Sequence, residues 1–351
     1  MKKHCSALAV LMSLAMGLSA CQAKTKKNDE KKLKIVTTIF PEYDWVMNIL
    51  GDEKEHADVS LLLDNGVDLH SYQPTAEDIV KIQNCDMFIY VGGESDEWVE
   101  DVLETAGNKD MVVVNLLEEL GDQVKEEELV EGMQGEEHDH DHEHDEDHEH
   151  EHEEDHDHDE DHEHEHDHEE EEAEYDEHVW LSLKNASVLV NAISKKLQTL
   201  DADHAGSFEK NGQAYIEILD ALDKQYEAAV SESAVKTLLF GDRFPFRYLV
   251  DDYGLSYFAA FIGCSAETEA SFETIAFLSQ KVDELSLHAV MTIEGPNHKI
   301  AETIIENTSS KDQKILVMDS MQSITSKDIK DGTTYLSIMQ KNLDVLKEAL
   351  K

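Results

Sequence analysis

From residue 136 to residue 172 the chain uses three residue types only: all 37 positions are His, Asp or Glu, and 13 of them are His. A stretch without apolar side chains has nothing to bury, and so nothing to set against the entropy of ordering its backbone. It is expected to be disordered when empty, so any globular fold must come from the segments on either side. A plain acidic spacer would need only Asp and Glu, yet this run holds 13 of the chain's 20 His. Imidazole suits Zn²⁺, Cu²⁺ and Ni²⁺, and alternating His and acid offers many overlapping weak sites. His138, His140, His142, His144, His148, His150, His152, His156, His158, His162, His164, His166 and His168 are therefore candidate accessory metal ligands. The run matches H-E-x-x-H more than once, as at residues 148–152 and 162–166. That motif needs a helix with buried support, which a repeat of this composition cannot supply.

The 351 residues allow two domains of ordinary size. Formal net charge is −50; the run's acids account for −24 and leave −26 elsewhere. So acidic a surface argues against nucleic acid and against electrostatic docking on anionic lipid, and suits a protein that handles cations. Lys2, Lys3 and the apolar stretch from Ala7 to Leu18 read as a signal peptide over residues 1–20, too short to be a spanning helix. The ending Leu18-Ser19-Ala20-Cys21 resembles a bacterial lipobox. Cys21 is then the lipidated residue and residues 21–32 a polar tether. The expected location is extracytoplasmic, lipid-anchored to the outer face of the cytoplasmic membrane. Cys85 and Cys264 fall in different expected lobes, which argues against a disulfide framework. Cys85 reads as a small core residue, while Cys264, in Gly263-Cys264-Ser265, lies in a loop.

Ahead of the run, apolar stretches at 33–38, 57–63, 86–91 and 111–115 read as strands. Helical spacing separates them at 43–50, from Thr75 onward and at 96–106. Pro41 reads as an interruption, and Asp78, three residues after Thr75, completes a capping box. The segment 121–174 leaves this lobe. Beyond it lie a helix at 186–200 and a long helix at 204–231, with the triplet Asp201-Ala202-Asp203 placed to cap the second of them. Phe208, Tyr215, Ile218, Leu219, Leu222 and Tyr226 are expected on the buried face of the long helix. A helix of roughly 28 residues spans about 42 Å, enough to bridge two lobes. A second alternation has strands at 237–240, 256–262, 289–293 and 315–318, and helices at 245–252, 271–285, 296–307 and 334–349. The expected fold class is α/β: two lobes, each a four-stranded mainly parallel sheet with flanking helices. Residues 33–185 and 233–351 form the lobes, and 186–232 link them. Ligands of such sheets bind beyond the carboxyl ends of the strands, here in the inter-lobe cleft.

Six His lie outside the run and the leader: His56, His70, His178, His204, His288 and His298. His70 follows a strand in a Gly/Asp-rich loop, and His178 opens the first ordered stretch after the run. Both face the expected cleft, whereas His56, His204 and His288 read as surface or packing residues.

Several segments carry a resemblance. Gly66-Val67-Asp68-Leu69-His70-Ser71-Tyr72-Gln73-Pro74 is similar to a G-x-D-P-H-x-Y-x-P loop, and Glu177-His178-Val179-Trp180-Leu181 to P-H-x-W-L. With the His-rich loop between them, the chain resembles the zinc/manganese group of bacterial ABC-transporter substrate-binding lipoproteins, above all its zinc-uptake members. The resemblance implies that His70 and His178 bind metal. It implies a third ligand, His or Glu, five residues before Tyr248, but Arg243 stands there and cannot bind a cation. Asp242 is the nearest replacement. Asp319 matches the carboxylate that some members place after the last strand of the second lobe; it also reads as a helix cap. Glu294 could reach the cleft or pair with Arg243. The expected function is a non-enzymatic, monomeric receptor that captures Zn²⁺, with Mn²⁺ the lesser alternative. It would pass the ion to an ABC permease and its ATPase, while the run collects or senses zinc. A surface metal buffer or adhesin and an extracellular metallohydrolase remain as rival readings.

Overall fold

The structure, a computed structural model, describes residues 32–134, 174–265 and 269–351. The expected signal peptide, Cys21 and nearly all of the tether lie outside the described residues, as does the His/Asp/Glu run.

In chain order the first lobe comprises β1 (Leu33–Thr37), α1 (Phe40–Leu50), β2 (Ala57–Leu61), α2 (Ala76–Gln83), β3 (Met87–Tyr90), α3 (Trp98–Glu104), β4 (Val112–Asn115) and α4 (Leu116–Leu120). The strands form one parallel sheet in the order β2-β1-β3-β4. The central strands are apolar along their length because helices cover both faces: Ile35, Val36, Met87, Phe88 and Ile89 are all buried. Pro41 does not interrupt this lobe. It occupies the first turn of α1, where no backbone N–H is required, so the helix starts three residues before the expected position. The capping box between Thr75 and Asp78 opens α2 as expected.

The linking helices α5 (Leu183–Leu200) and α6 (Ala205–Glu232) precede the second lobe. That lobe contains β5 (Thr237–Phe244), α7 (Arg247–Tyr253), β6 (Ser256–Ile262), α8 (Phe272–Glu284), β7 (Ala289–Ile293), α9 (Lys299–Asn307), β8 (Lys314–Met318), α10 (Ser326–Lys330) and α11 (Tyr335–Ala349). Its sheet is also parallel, in the order β6-β5-β7-β8. Two expectations fail on α6. Ile218 is 52 % exposed, because at about 100° per residue it falls to one side of the stripe through Tyr215, Leu219, Leu222 and Tyr226. The Asp-Ala-Asp triplet does not supply the N-cap either: His204 does, and its ring nitrogen Nδ1 bonds Asp201 at 2.7 Å.

The two lobes share one apolar core. Trp45 of α1 meets Tyr335 of α11 edge to face at a centroid distance of 5.4 Å. Beside them the buried Asp44 carboxylate accepts from Tyr215 Oη and from the Tyr335 backbone N–H, each at 3.2 Å. Helices of both lobes and α6 are thereby joined at one polar point within an apolar surround. Among the described residues no helix is long and apolar enough to cross a membrane.

Candidate metal centre

His70 sits in a short 3₁₀ turn, Leu69–Ser71, held by Asp68, whose side chain accepts the His70 backbone N–H at 3.0 Å. His178 precedes a second such turn, Val179–Leu181, and is fully buried. The two rings meet at the carboxyl end of the first sheet, with Nε2 of one 3.1 Å from Nε2 of the other. Each opposite ring nitrogen is already committed. His178 Nδ1 lies 3.0 Å from Asp176 Oδ1, and His70 Nδ1 lies 2.8 Å from Ser95 Oγ and 3.3 Å from Glu177 Oε2. A carboxylate only accepts, so both Nδ1 atoms carry the proton and both Nε2 atoms present lone pairs to each other. Such opposed lone pairs repel unless a cation or a shared proton stands between them. Two nitrogens at ~2.0–2.1 Å from a tetrahedral ion stand roughly 3.3 Å apart, close to the spacing observed.

The orienting carboxylates are themselves held. Burial would raise the Glu177 carboxyl, but hydrogen bonds from His70 and from Ser95 outweigh it and keep the group below its usual value. Asp68 is likewise pushed up by burial but held low by the Arg243 guanidinium, which pairs with it across the cleft. The Gln322 amide completes this side. One end of it faces Asp68 at 3.1 and 3.3 Å and the other faces His178 Nε2, 3.4 Å away.

The ligand set expected from the sequence is brought together only in part. His70 and His178 meet, and the third ligating atom grouped with them is Cys264 Sγ, all within 4.8 Å of one another. Neither Asp242 nor Asp319 belongs to that group. Asp242 folds back onto its own strand and the next, accepting from Arg243 N at 2.9 Å and from Ile293 N at 3.3 Å. Asp319 accepts from Met321 N at 2.8 Å; burial, then the charge of Glu294, raises its pKa to about 6. Glu294 accepts from Ser320 N at 2.7 Å and from Gln322 N at 3.1 Å, so it braces the Gln322 loop and does not pair with Arg243. Burial first, then the carboxylates of Glu127, Asp176 and Glu177, push the Cys264 thiol well above its usual range.

A family model described as "Zinc-uptake complex component A periplasmic" matches residues 35–349. The chain belongs to this family. It is 34% identical over 348 residues to the zinc-binding lipoprotein AdcA of Streptococcus pneumoniae serotype 4, covering 99% of this chain and 61% of that protein. It therefore spans about three-fifths of the length of these curated relatives. It is 30% identical to the high-affinity zinc uptake system protein ZnuA of Bacillus subtilis, over 100% of this chain and 99% of that one. The solved Zn(II)-bound ZnuA-like domain of S. pneumoniae AdcA superposes with a TM-score of 0.65 at 29% identity, covering 91% of this chain and 99% of that domain.

Within this family frame, Tyr248 has a visible task. Its hydroxyl donates to the Asp176 carbonyl at 2.8 Å and accepts the Lys125 N–H at 3.0 Å, so the second lobe grips the segments that lead to and from the run. His70 and Cys264 border an open cavity of about 230 Å³ walled by Glu94, Glu127, Glu174 and Glu177. Two site residues escaped the sequence reading. Gln322 carries no motif, and Cys264 lies in a loop whose partner segments are distant in sequence. His56 and His204, read as surface residues, form a second group with Glu53 away from the cleft. His288 packs as expected, its Nε2 2.8 Å from the Glu348 carbonyl.

Proposed function

We propose that the chain is the extracytoplasmic, lipid-anchored and monomeric receptor of a zinc ABC transporter, and that Zn²⁺ is its cargo. His70 and His178 take the ion between them, and the loaded form hands it to the membrane permease, which the transporter's ATPase drives. The observation that carries this reading is the pair of opposed Nε2 atoms, each with its Nδ1 tied to an acceptor: a binding centre already set for a cation. Membership of the zinc-uptake family and the zinc-named relatives support it. Nitrogen ligands favour zinc over manganese, which suits carboxylate, carbonyl and water ligands. The His/Asp/Glu run serves as a collector or sensor; Glu174 and Tyr175, the first described residues after it, line the acid-walled cavity. The chemistry is capture and release without bond cleavage.

Zinc titration against a competing chelator tests the reading. His70→Ala is expected to abolish the tight site, with at least a hundredfold loss of affinity and little change in melting temperature of the metal-free protein. Unchanged tight binding in that variant would refute the assignment.

A further inference from the structure

We propose that Cys264 is the third protein ligand of the cleft's zinc ion, bound as a thiolate where the family's pattern has His or Glu and this chain has Arg243. This rests on the zinc-receptor reading above and adds a soft ligand that the resemblance does not imply.

Three observations lead to it. Arg243 is spent on Asp68, so it neither ligates nor leaves that carboxylate free to do so. Among the described residues, the group of ligating atoms that holds both His70 and His178 is completed by Cys264 Sγ, within 4.8 Å. Glycine at the preceding position eases this approach: a Cβ at Gly263 would stand 3.0 Å from Cε1 and Nδ1 of the His178 ring and 3.0 Å from the Phe244 carbonyl oxygen. The loop is also held from the other side, since Cys264 N donates to Glu127 Oε1 at 3.3 Å.

The chemistry is specific. A zinc ion with Zn–N near 2.0–2.1 Å and Zn–S near 2.3 Å requires sulfur and nitrogen roughly 3.6 Å apart, so a loop shift of about an ångström closes the site. As the S–Zn bond forms, the S–H bond breaks and its proton passes to water, which reaches the sulfur through the acid-walled cavity. Cys85 cannot compete as a ligand or as a disulfide partner; its sulfur is buried in the first lobe, 3.2 Å from Met111 Sδ. One thiolate and two imidazoles select zinc and reject manganese, so Cys264 determines specificity as well as affinity.

Cobalt substitution in the full chain tests this. Co²⁺ at the tight site of the wild type is expected to give an intense near-ultraviolet thiolate-to-metal charge-transfer band together with visible ligand-field bands. Cys264→Ser should lose the charge-transfer band, keep visible bands from the His pair, bind zinc at least tenfold more weakly and discriminate at least tenfold less against Mn²⁺. Cobalt on the His/Asp/Glu run contributes no such band, because its ligands are nitrogen and oxygen. A wild-type cobalt complex with visible bands but no charge-transfer band overturns the proposal, as does wild-type zinc affinity in Cys264→Ser. Should Cys264→Ser fail to fold, the wild-type spectrum still decides. His70→Ala keeps the two readings apart: loss of tight zinc binding there, with no thiolate band in the wild type, sinks only the assignment of Cys264.

Discussion

At the residue scale, the centre is made by side chains that touch no ion themselves. Asp176 accepts both the backbone N–H and the ring Nδ1 of His178, at 2.9 and 3.0 Å, and so sets the tautomer and the ring plane together. Partners of this kind are worth about 10–100-fold in metal affinity. Asp176→Ala is expected to weaken zinc binding by that factor while the fold persists, measured by chelator competition alongside circular dichroism. A second buried acid governs stability. Glu42 accepts from Thr38 N and Ile39 N, but full burial, and then the charge of Asp96, raises its pKa to about 8. The folded state therefore holds a proton there from about pH 4.5 to 8 while the unfolded chain does not, so this contribution to stability falls as pH rises through that window. Glu42→Gln keeps an acceptor for Thr38 N and cannot titrate. The wild type's melting temperature should drop between about pH 5 and 8 relative to that variant; parallel curves would contradict the assignment.

At the element scale, the sequence placed most strands and helices within a few residues, since buried parallel strands are short apolar runs and the helices carry caps. One miss bears on the cleft. β5 was expected to end at Phe240, where the apolar run stops, but it continues to Phe244 through a register shift against β6 between Phe240 and Arg243. Asp242 makes this possible by accepting backbone N–H groups that the shifted ladder leaves over. Arg243 is thereby delivered to the cleft as a structural cation. Gly241 sits where β5 passes closest to α9, and an added Cβ would lie 2.6 Å from Ala301 Cα. Neither backbone can yield without breaking its ladder or helix. Gly241→Ala should therefore cost on the order of 1–3 kcal/mol in urea unfolding, as overpacking typically does.

At the scale of the whole molecule, the shared core around Trp45, Asp44 and Tyr335 resists hinge bending, because opening it would expose a buried carboxylate along with apolar surface. Under the proposed receptor reading, ion release is expected to come from small lobe shifts and loop movement. Deletion of the run is expected to separate the two kinds of site. A chain lacking residues 136–172 should keep its one tight zinc and lose the weak ones, read as a fall in stoichiometry with unchanged affinity. Loss of the tight site on deletion would move the centre into the run.

The sequence alone determined the two-lobe α/β plan, the long connecting helix and the pair His70 and His178 that meets in the cleft, because each is written in local periodicity or a short motif; the metal chemistry of the run stays an expectation from its composition. It also exposed the anomaly at Arg243. Only the tertiary structure shows which side chains stand beside the His pair. Asp242 and Asp319 were the chemically reasonable choices, yet backbone N–H groups claim both carboxylates, while Cys264 and Gln322 reach the cleft from loops far off in sequence. Coordination depends on distances between side chains of different elements, and those are set by sheet register and loop path, which no linear pattern encodes.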